Sequence, residues 1–342
     1  MATSDTPLPS APLPKQKASG AGEAWRMLIA LVIGFALPVL ACFGLILTSV
    51  VALQIASLGA RPSRGFTSSG GSGPAVAIIR VNGLIISGRS GPFDQGVAAS
   101  DTLIEKIKMA GEDADVKAIV LAVNSPGGGV NASDLIYHAL KGVDKPIVVT
   151  MGDVAASGGY YISMASDWIV ANPNTLTGSI GVISEFPNAA GLLDKAGVQF
   201  VVVTSGPRKD FGSPYREMTE EERAYWQTTV DEIYQSFVEI VAEGRHMPVE
   251  DVQPLADGGV FTGPQALEHK LVDQLGYEEE AIAKAAELGG ITGEPRIIEY
   301  ENTPTFFDLL SQTAARPSLS ASVIEILNLV GHPTLSARWI GP

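Results

Sequence analysis

Ser157 lies where an apolar run of the chain gives way to small residues and then to a stretch with helical spacing. The β-branched residues in 147–151 predict a buried strand, and residues 155–159 (AASGG) follow it. A strand that turns sharply into a helix lifts one hydroxyl clear of the sheet. It also aims backbone N–H groups at whatever binds there. The hydroxyl of Ser157 is therefore a candidate nucleophile, provided that a base activates it.

Two kinds of base can activate such a serine. The GxSxG elbow of α/β-hydrolases works with an acid and a later histidine, but here Ala155 replaces the first glycine. The later histidines stand in ordinary helical or tail contexts, namely His246, His269 and His332. The alternative is Lys209, in a loop rich in Gly and Pro (205–214), because an unprotonated lysine accepts the serine proton if burial lowers its pKa. Taken singly, a loop lysine is usually a solvated charge and a Ser-Gly turn is usually a helix cap.

Alternating strands and helices must position these residues. The first half predicts strands at 75–81 and 84–87 joined as a hairpin by Asn82-Gly83. Helices at 101–110, 133–140 and 157–165 then alternate with strands at 117–124, 147–151 and 168–171. This alternation predicts an α/β fold with a largely parallel sheet. Ligands of such sheets bind beyond the carboxyl ends of the strands. The small-residue turns at 126–129 and 155–159 both lie at such ends, so we expect them to meet.

The second half of the chain predicts one long helix and several short elements. Thr219 begins the long helix, and Glu222 completes a capping box three residues later. An apolar stripe along it, from Trp226 to Val241, is typical of a core or a subunit interface. The other expected elements are a strand at 199–204, helices at 264–269 and 278–288, and a strand at 296–300.

The N-terminal region predicts a membrane anchor. Residues 1–26 have the composition of a disordered tail, and residues 27–60 carry no charge, which exceeds the roughly 20 residues that span a bilayer. We therefore expect an anchor at 27–58 and a flexible linker at 59–74. A weak excess of Lys and Arg before the anchor favours a cytoplasmic N-terminus and a catalytic domain on the outer face. The folded domain is expected at 75–300, and a C-terminal extension at 301–342 contains a short apolar stretch of helical character.

Composition excludes several classes of function. The net charge of −14 argues against a nucleic-acid partner. The single cysteine, Cys42, rules out a disulfide within the chain and a thiolate metal cluster. The four histidines form no HExxH pair, so a zinc hydrolase is not indicated. We expect no metal and no other cofactor.

Four segments, in order, resemble the S49 family of serine peptidases, the family of signal peptide peptidase A. Residues 152–162 (GDVAASGGYYI) are similar to its nucleophile segment, 177–182 (TGSIGV) to its next signature, and 209–218 to its catalytic-lysine segment. Residues 124–128 (NSPGG) resemble the oxyanion loop shared with the Clp protease and crotonase folds. The resemblance covers roughly residues 75–276. Gly259 departs from it, since an arginine often stands there, and we expect this position to lie outside the site.

The resemblance implies a ClpP/crotonase-like fold and a Ser/Lys dyad. Ser157 would be the nucleophile and Lys209 the general base, with Ser179 orienting the lysine. The backbone N–H groups of Gly128 and Gly158 would form the oxyanion hole. It further implies a homo-oligomeric endopeptidase in the bacterial inner membrane, with its catalytic domain on the periplasmic side. Its substrates would be remnant signal peptides and similar apolar peptides.

Two other interpretations remain open from the sequence. A crotonase-type acyl-thioester enzyme shares the fold and the oxyanion loop but needs neither Ser157 nor Lys209. A catalytically silent membrane scaffold would keep both residues but misplace them.

Overall fold

The computed structural model describes residues 25–26, 66–69, 73–90, 96–300 and 334–338. The chain divides into two units, residues 1–63 and residues 64–342, and all elements below belong to the second. The expected anchor at 27–58 and the apolar stretch near 320–330 lie outside the described residues. Among the residues that are described, no helix is long and apolar enough to cross a membrane.

The larger sheet is mixed and mainly parallel. Its main path follows the order β1-β13-β2-β5-β7-β8-β12, while β9 pairs with β7 and β11 pairs with β9. The strands are β1 (Phe66–Ser69), β2 (Ala75–Asn82), β5 (Val116–Ser125), β7 (Ile147–Ala156), β8 (Trp168–Ala171), β9 (Leu176–Gly178), β11 (Val260–Thr262), β12 (Gln274–Leu275) and β13 (Arg296–Tyr300). The central strands β2, β5, β7 and β8 are parallel, so their carboxyl ends share one edge.

A second sheet lies beside that edge. It has the order β10-β14-β6-β3-β4 among the described residues. Its strands are β3 (Leu84–Ile86), β4 (Val97–Ala99), β6 (Gly127–Gly129), β10 (Ile183–Glu185) and β14 (Thr334–Arg338). Because β6 follows β5 after one residue, the second sheet continues directly from the edge of the first sheet at which the parallel strands end.

Helices pack on both faces of the larger sheet, as continuous apolar strands such as β5 require. The α-helices are α1 (Ser100–Glu112), α2 (Val130–Lys141), α3 (Gly158–Ser163), α4 (Ala190–Ala196), α5 (Glu220–Arg245), α6 (Val249–Val252), α7 (Gly263–Glu268) and α8 (Glu278–Leu288). One core joins α1, α2, α3 and α5 to the sheet. A smaller core lies on the opposite face, where Ala281 and Ala285 of α8 pack near Val120 and Val148.

Most of the expected elements are present, and the long helix begins as predicted. Thr219 caps α5, the Glu222 N–H donates to Thr219 Oγ1 at 3.2 Å, and the Thr219 N–H donates to Glu222 Oε2 at 3.0 Å. Strand β7 continues to Ala156, five residues beyond the expected end, because β9 pairs with its last residues. Within the expected linker, Phe66–Ser69 form β1 and pair with β13.

Two of the expected local elements are wrong. Asn82-Gly83 does not join a hairpin, because β2 pairs with β5 and β13 whereas β3 pairs in parallel with β4 and β6 of the other sheet. Residues 199–204 form no strand, although their β-branched composition favours one. They run along the surface and pair with no strand among the described residues, and Val201 and Val203 are more than nine-tenths exposed.

Candidate active site

Ser157 occupies a sharp turn between β7 and α3. Its φ is +52° and its ψ is −115°, a conformation that costs an L-residue free energy and that clusters at functional sites. The turn is held from both sides, since the Ser157 N–H donates to Gly178 O at 2.7 Å and Ser157 O accepts the Tyr161 N–H at 2.8 Å. The residue is 2% exposed, and it lines the pocket described below.

The two small-residue turns meet at one edge, as their positions predicted. Ser125, at the end of β5, is the register partner of Ala155 in β7. A Cβ on Gly159 would lie 2.8 Å from Ser125 O, and a Cβ on Gly128 would lie 1.9 Å from Ile85 O. Glycine at these positions therefore allows α3 and β6 to approach their neighbours closely. Gly128 and Gly158 are consequently placed on elements that contact each other beside Ser157.

Ser179 shares a pocket of about 530 Å³ with Ser157. Its φ of +49° is also left-handed. The Ser179 N–H donates to Gly259 O at 2.7 Å, and its hydroxyl donates to Gly258 O at 3.1 Å. Gly259, expected to lie outside the site, is not among the described residues that line this pocket, but its carbonyl holds the Ser179 turn in place.

Lys209 does not lie in this pocket. The side chain is exposed, and none of the residues lining the Ser157 pocket comes from the loop that carries it. In the described part of the chain, its ammonium group makes no ion pair or side-chain hydrogen bond. The structure of one chain thus brings Ser157 and Ser179 together and leaves Lys209 apart.

The loop bearing Lys209 is nevertheless fixed by Arg216. The Arg216 guanidinium donates to Asp210 Oδ2 at 2.8 Å and to Oδ1 at 3.0 Å, and it donates to Glu222 Oε2 at 2.8 Å. Glu222 is buried at the first turn of α5. Hydrogen bonds from Arg216 and then from the Thr219 backbone lower the pKa of Glu222 to about 2, and the Arg216 hydrogen bond also lowers the pKa of Asp210. Arg216 therefore clamps this loop to the N-terminus of α5.

Helix α5 contributes to the site as well as to the core. Its apolar stripe was expected to be core or interface, and Phe237 and Val241 are indeed buried. Val230 and Tyr234, however, line the Ser157 pocket together with Asp231. The helical period identified the stripe but could not show that its N-terminal half passes over the pocket.

Strand β14 lies along the same groove. It pairs antiparallel with β6, with Ala337 opposite Gly128, and antiparallel with β10, with Ser336 opposite Ile183. The groove between β6 and β10 therefore accommodates an extended segment next to the glycine turn. Main-chain pairing of this kind is a general way in which proteins hold peptides.

The described residues near the site form no metal cluster. Over the described ranges there is no group of three or more His, Cys, Asp and Glu side chains that could hold an ion.

Comparison with known proteins identifies the family. The model of peptidase family S49 matches residues 139–292, and that of Clp protease matches residues 90–175. A protein of Enterococcus faecium named as a signal peptide peptidase SppA is 41% identical over 242 residues, covering 70% of each chain. A protein of Synechocystis named as a protease is 43% identical over 266 residues, 77% of this chain and 90% of its own. Protease 4 of Salmonella typhi is 39% identical over 242 residues, 70% of this chain and 38% of its own.

The first two relatives are matched over at least two thirds of their own length, and the S49 match includes the strained Ser157 turn. The mixed sheet with its second, smaller sheet is the Clp protease-like α/β fold. The chain therefore belongs to peptidase family S49 and is a serine peptidase.

Proposed function

We propose that the protein is an endopeptidase that cleaves apolar peptides, including remnant signal peptides, with Ser157 as nucleophile and Lys209 as general base. The observation that carries this proposal is the conformation of Ser157, strained and buried at the head of α3, beside a groove in which β14 lies as an extended strand. The S49 membership favours peptide hydrolysis over crotonase-type thioester chemistry.

The proposed reaction is acyl transfer. Ser157 Oγ attacks the peptide carbonyl carbon while Lys209 Nζ takes its proton, and the N–H groups of Gly128 and Gly158 hold the resulting oxyanion. Lys209 returns the proton to the departing amine, which leaves an acyl-enzyme. A water molecule then attacks the ester, gives a proton to Lys209, and Ser157 recovers it. Ser179, on the pocket wall, orients the lysine in this scheme.

Lys209 has to reach Ser157 for this reaction, and we propose that a second copy of the chain supplies it. Moving the loop within one chain would break the hydrogen bonds of Arg216 with Asp210 and Glu222, whereas a neighbouring subunit can present the loop as it stands. The surface beside the loop supports a partner. Its exposed apolar residues are Val198, Phe200, Val201, Val202 and Val203.

Mixing two inactive variants tests this arrangement. Ser157→Ala and Lys209→Ala should each lose peptide cleavage by about 10⁴-fold or more. If the dyad forms between subunits, unfolding and refolding the two variants together restores activity at roughly a quarter of the sites by random assembly. Mixtures that remain inactive while wild type refolds to full activity would exclude a dyad shared between subunits.

Membrane attachment is the remaining part of the proposal. The uncharged run at 27–58 would anchor the chain in the bacterial inner membrane, with the catalytic unit on the periplasmic side. A peptidase held there lies close to the signal peptides that processing leaves in the bilayer. The Enterococcus faecium relative bears the name of an enzyme for such substrates.

A further inference from the structure

A second cavity adjoins the Ser157 pocket. It has a volume of about 500 Å³ and lies between α2, α3 and α5. Val182 lines both cavities, so they adjoin at this residue. The walls are largely apolar, with Val130 from α2 and Ile233 and Phe237 from α5.

Asp134 is the one charged side chain among the described residues that line this cavity. Its Oδ1 accepts a hydrogen bond from the Tyr161 hydroxyl at 2.9 Å. In the parts of the chain that the structure covers, no Lys, Arg or His forms an ion pair with it. Asp134 is partly exposed, so its carboxylate faces both solvent and the apolar walls and lacks a positively charged neighbour among the described residues.

Tyr161 fixes the position of that carboxylate. Its ring is buried and packs against Tyr137, with centroids 5.5 Å apart, and against Phe237, with centroids 5.0 Å apart. Burial and then the hydrogen bond to Asp134 raise the pKa of Tyr161, so the phenol stays protonated and donates at neutral pH. Asp134 Oδ2 makes no hydrogen bond with the described residues and is available to a ligand.

The cavity is also within reach of a bound peptide. Gly129, at the end of β6, forms part of its wall and is the register partner of Ser336 in β14. A peptide that lay along β6 as β14 does would pass its main chain over this wall. Tyr161 belongs to the same short helix that follows Ser157, so the cavity and the nucleophile share one rigid support.

We propose that this cavity is a substrate subsite that takes a lysine or arginine side chain, with Asp134 as the counter-charge. The inference rests on the proposed peptidase function and specifies its substrate. The apolar walls suit the methylene stem of such a side chain, and the carboxylate suits its charged end. Signal peptides carry a positively charged segment next to their apolar segment, so one remnant can lie along the groove between β6 and β10 and place a basic side chain in this subsite.

Matched peptides test the subsite. One apolar peptide is made with lysine at successive positions and again with norleucine, which keeps the stem and removes the charge. We expect wild type to cleave the lysine peptide with the higher kcat/KM at one position. Asp134→Asn keeps an acceptor for Tyr161 and should lower the lysine-to-norleucine ratio by roughly tenfold, as loss of a charge-assisted hydrogen bond predicts. Asp144→Asn, an equal charge change on an exposed turn before β7, should keep the ratio.

Charge reversal and a binding measurement complete the test. Asp134→Lys should shift the preference from lysine to glutamate at that position. In the Ser157→Ala background, the Kd of the lysine peptide should be lower than that of the norleucine peptide. This comparison measures binding and does not depend on whether wild type cleaves either peptide. Equal ratios in wild type and Asp134→Asn would overturn the subsite while leaving the peptidase intact. Selective binding of the lysine peptide without cleavage by wild type would instead overturn the proposed function alone.

Discussion

At the scale of single residues, backbone geometry places the catalytic groups. Ser157 keeps a positive φ because Gly178 O accepts its N–H and because α3 begins directly after it. Such strain persists only where the surrounding structure maintains it. Gly159 and Gly128 contribute to this support, because the absence of a side chain lets α3 lie against the end of β5 and lets β6 lie against β3.

Gly128→Ala tests this role of glycine. The added methyl group would meet Ile85 O at 1.9 Å, a contact that requires β6 to move away from β3. We expect at least about a 100-fold loss of peptide cleavage, since β6 carries a proposed oxyanion donor. Gly191→Ala is the matched control, because Gly191 lies in α4 and a Cβ added to it would have no neighbour within 4 Å. It should keep activity and raise the free energy of unfolding by about 0.5–1 kcal/mol.

At the scale of elements, the clamp formed by Arg216, Asp210 and Glu222 ties the Lys209 loop to α5. Arg216→Ala should reduce cleavage by roughly tenfold or more, because a base that is displaced loses its alignment. Arg216→Lys retains the charge but cannot form the two-pronged contacts, so its activity should lie between those of wild type and the alanine variant. A far-UV circular dichroism spectrum and a Tm measurement of each variant separate displacement of the base from loss of the fold.

The clamp also has a pH signature. Folding lowers the pKa of Glu222 from 4.5 to about 2, so its contribution to stability is complete above pH 4.5. That contribution is lost as the pH falls from 4.5 towards 2, where Glu222 becomes protonated in both states. The Tm difference between wild type and Arg216→Ala should therefore shrink over this range. A difference that stays constant down to pH 2 would show that Arg216 does not stabilise the ionised Glu222.

Local patterns in the sequence predicted many elements but not their long-range pairing. The capping box at Thr219 and the Ser157 turn follow from neighbouring residues, and both are present. Asn82-Gly83 has hairpin chemistry, yet β3 pairs in parallel with β6, more than forty residues away in sequence. Gly258 and Gly259 lie about eighty residues after Ser179, and no local pattern connects them. The acidic cavity at Asp134 depends on three helices meeting, which the sequence of α2 alone does not reveal.

At the level of the whole molecule, the proposed enzyme has a membrane anchor, a catalytic unit and a second copy of the chain that supplies Lys209. A chain that begins at residue 61 should leave the membrane fraction and still cleave soluble peptides, because the domain from β2 to β13 holds its own two cores. Its cleavage of bilayer-embedded signal peptides should fall. Sedimentation of membranes shows which fraction holds the shortened chain, and cleavage of soluble and of bilayer-embedded peptides is then assayed in that fraction. Full retention of the shortened chain in the membrane fraction would contradict an anchor at 27–58.

Covalent labelling tests directly whether Ser157 is the nucleophile. Detergent-solubilised full-length protein is treated with a fluorophosphonate probe, and the modified residue is located by mass spectrometry of its peptides. We predict one adduct on Ser157 in wild type, none in Ser157→Ala, and an unchanged adduct in Ser166→Ala, which removes a hydroxyl from the segment after α3. Labelling that persists in Ser157→Ala, or a wild-type adduct on another residue, would show that Ser157 is not the nucleophile.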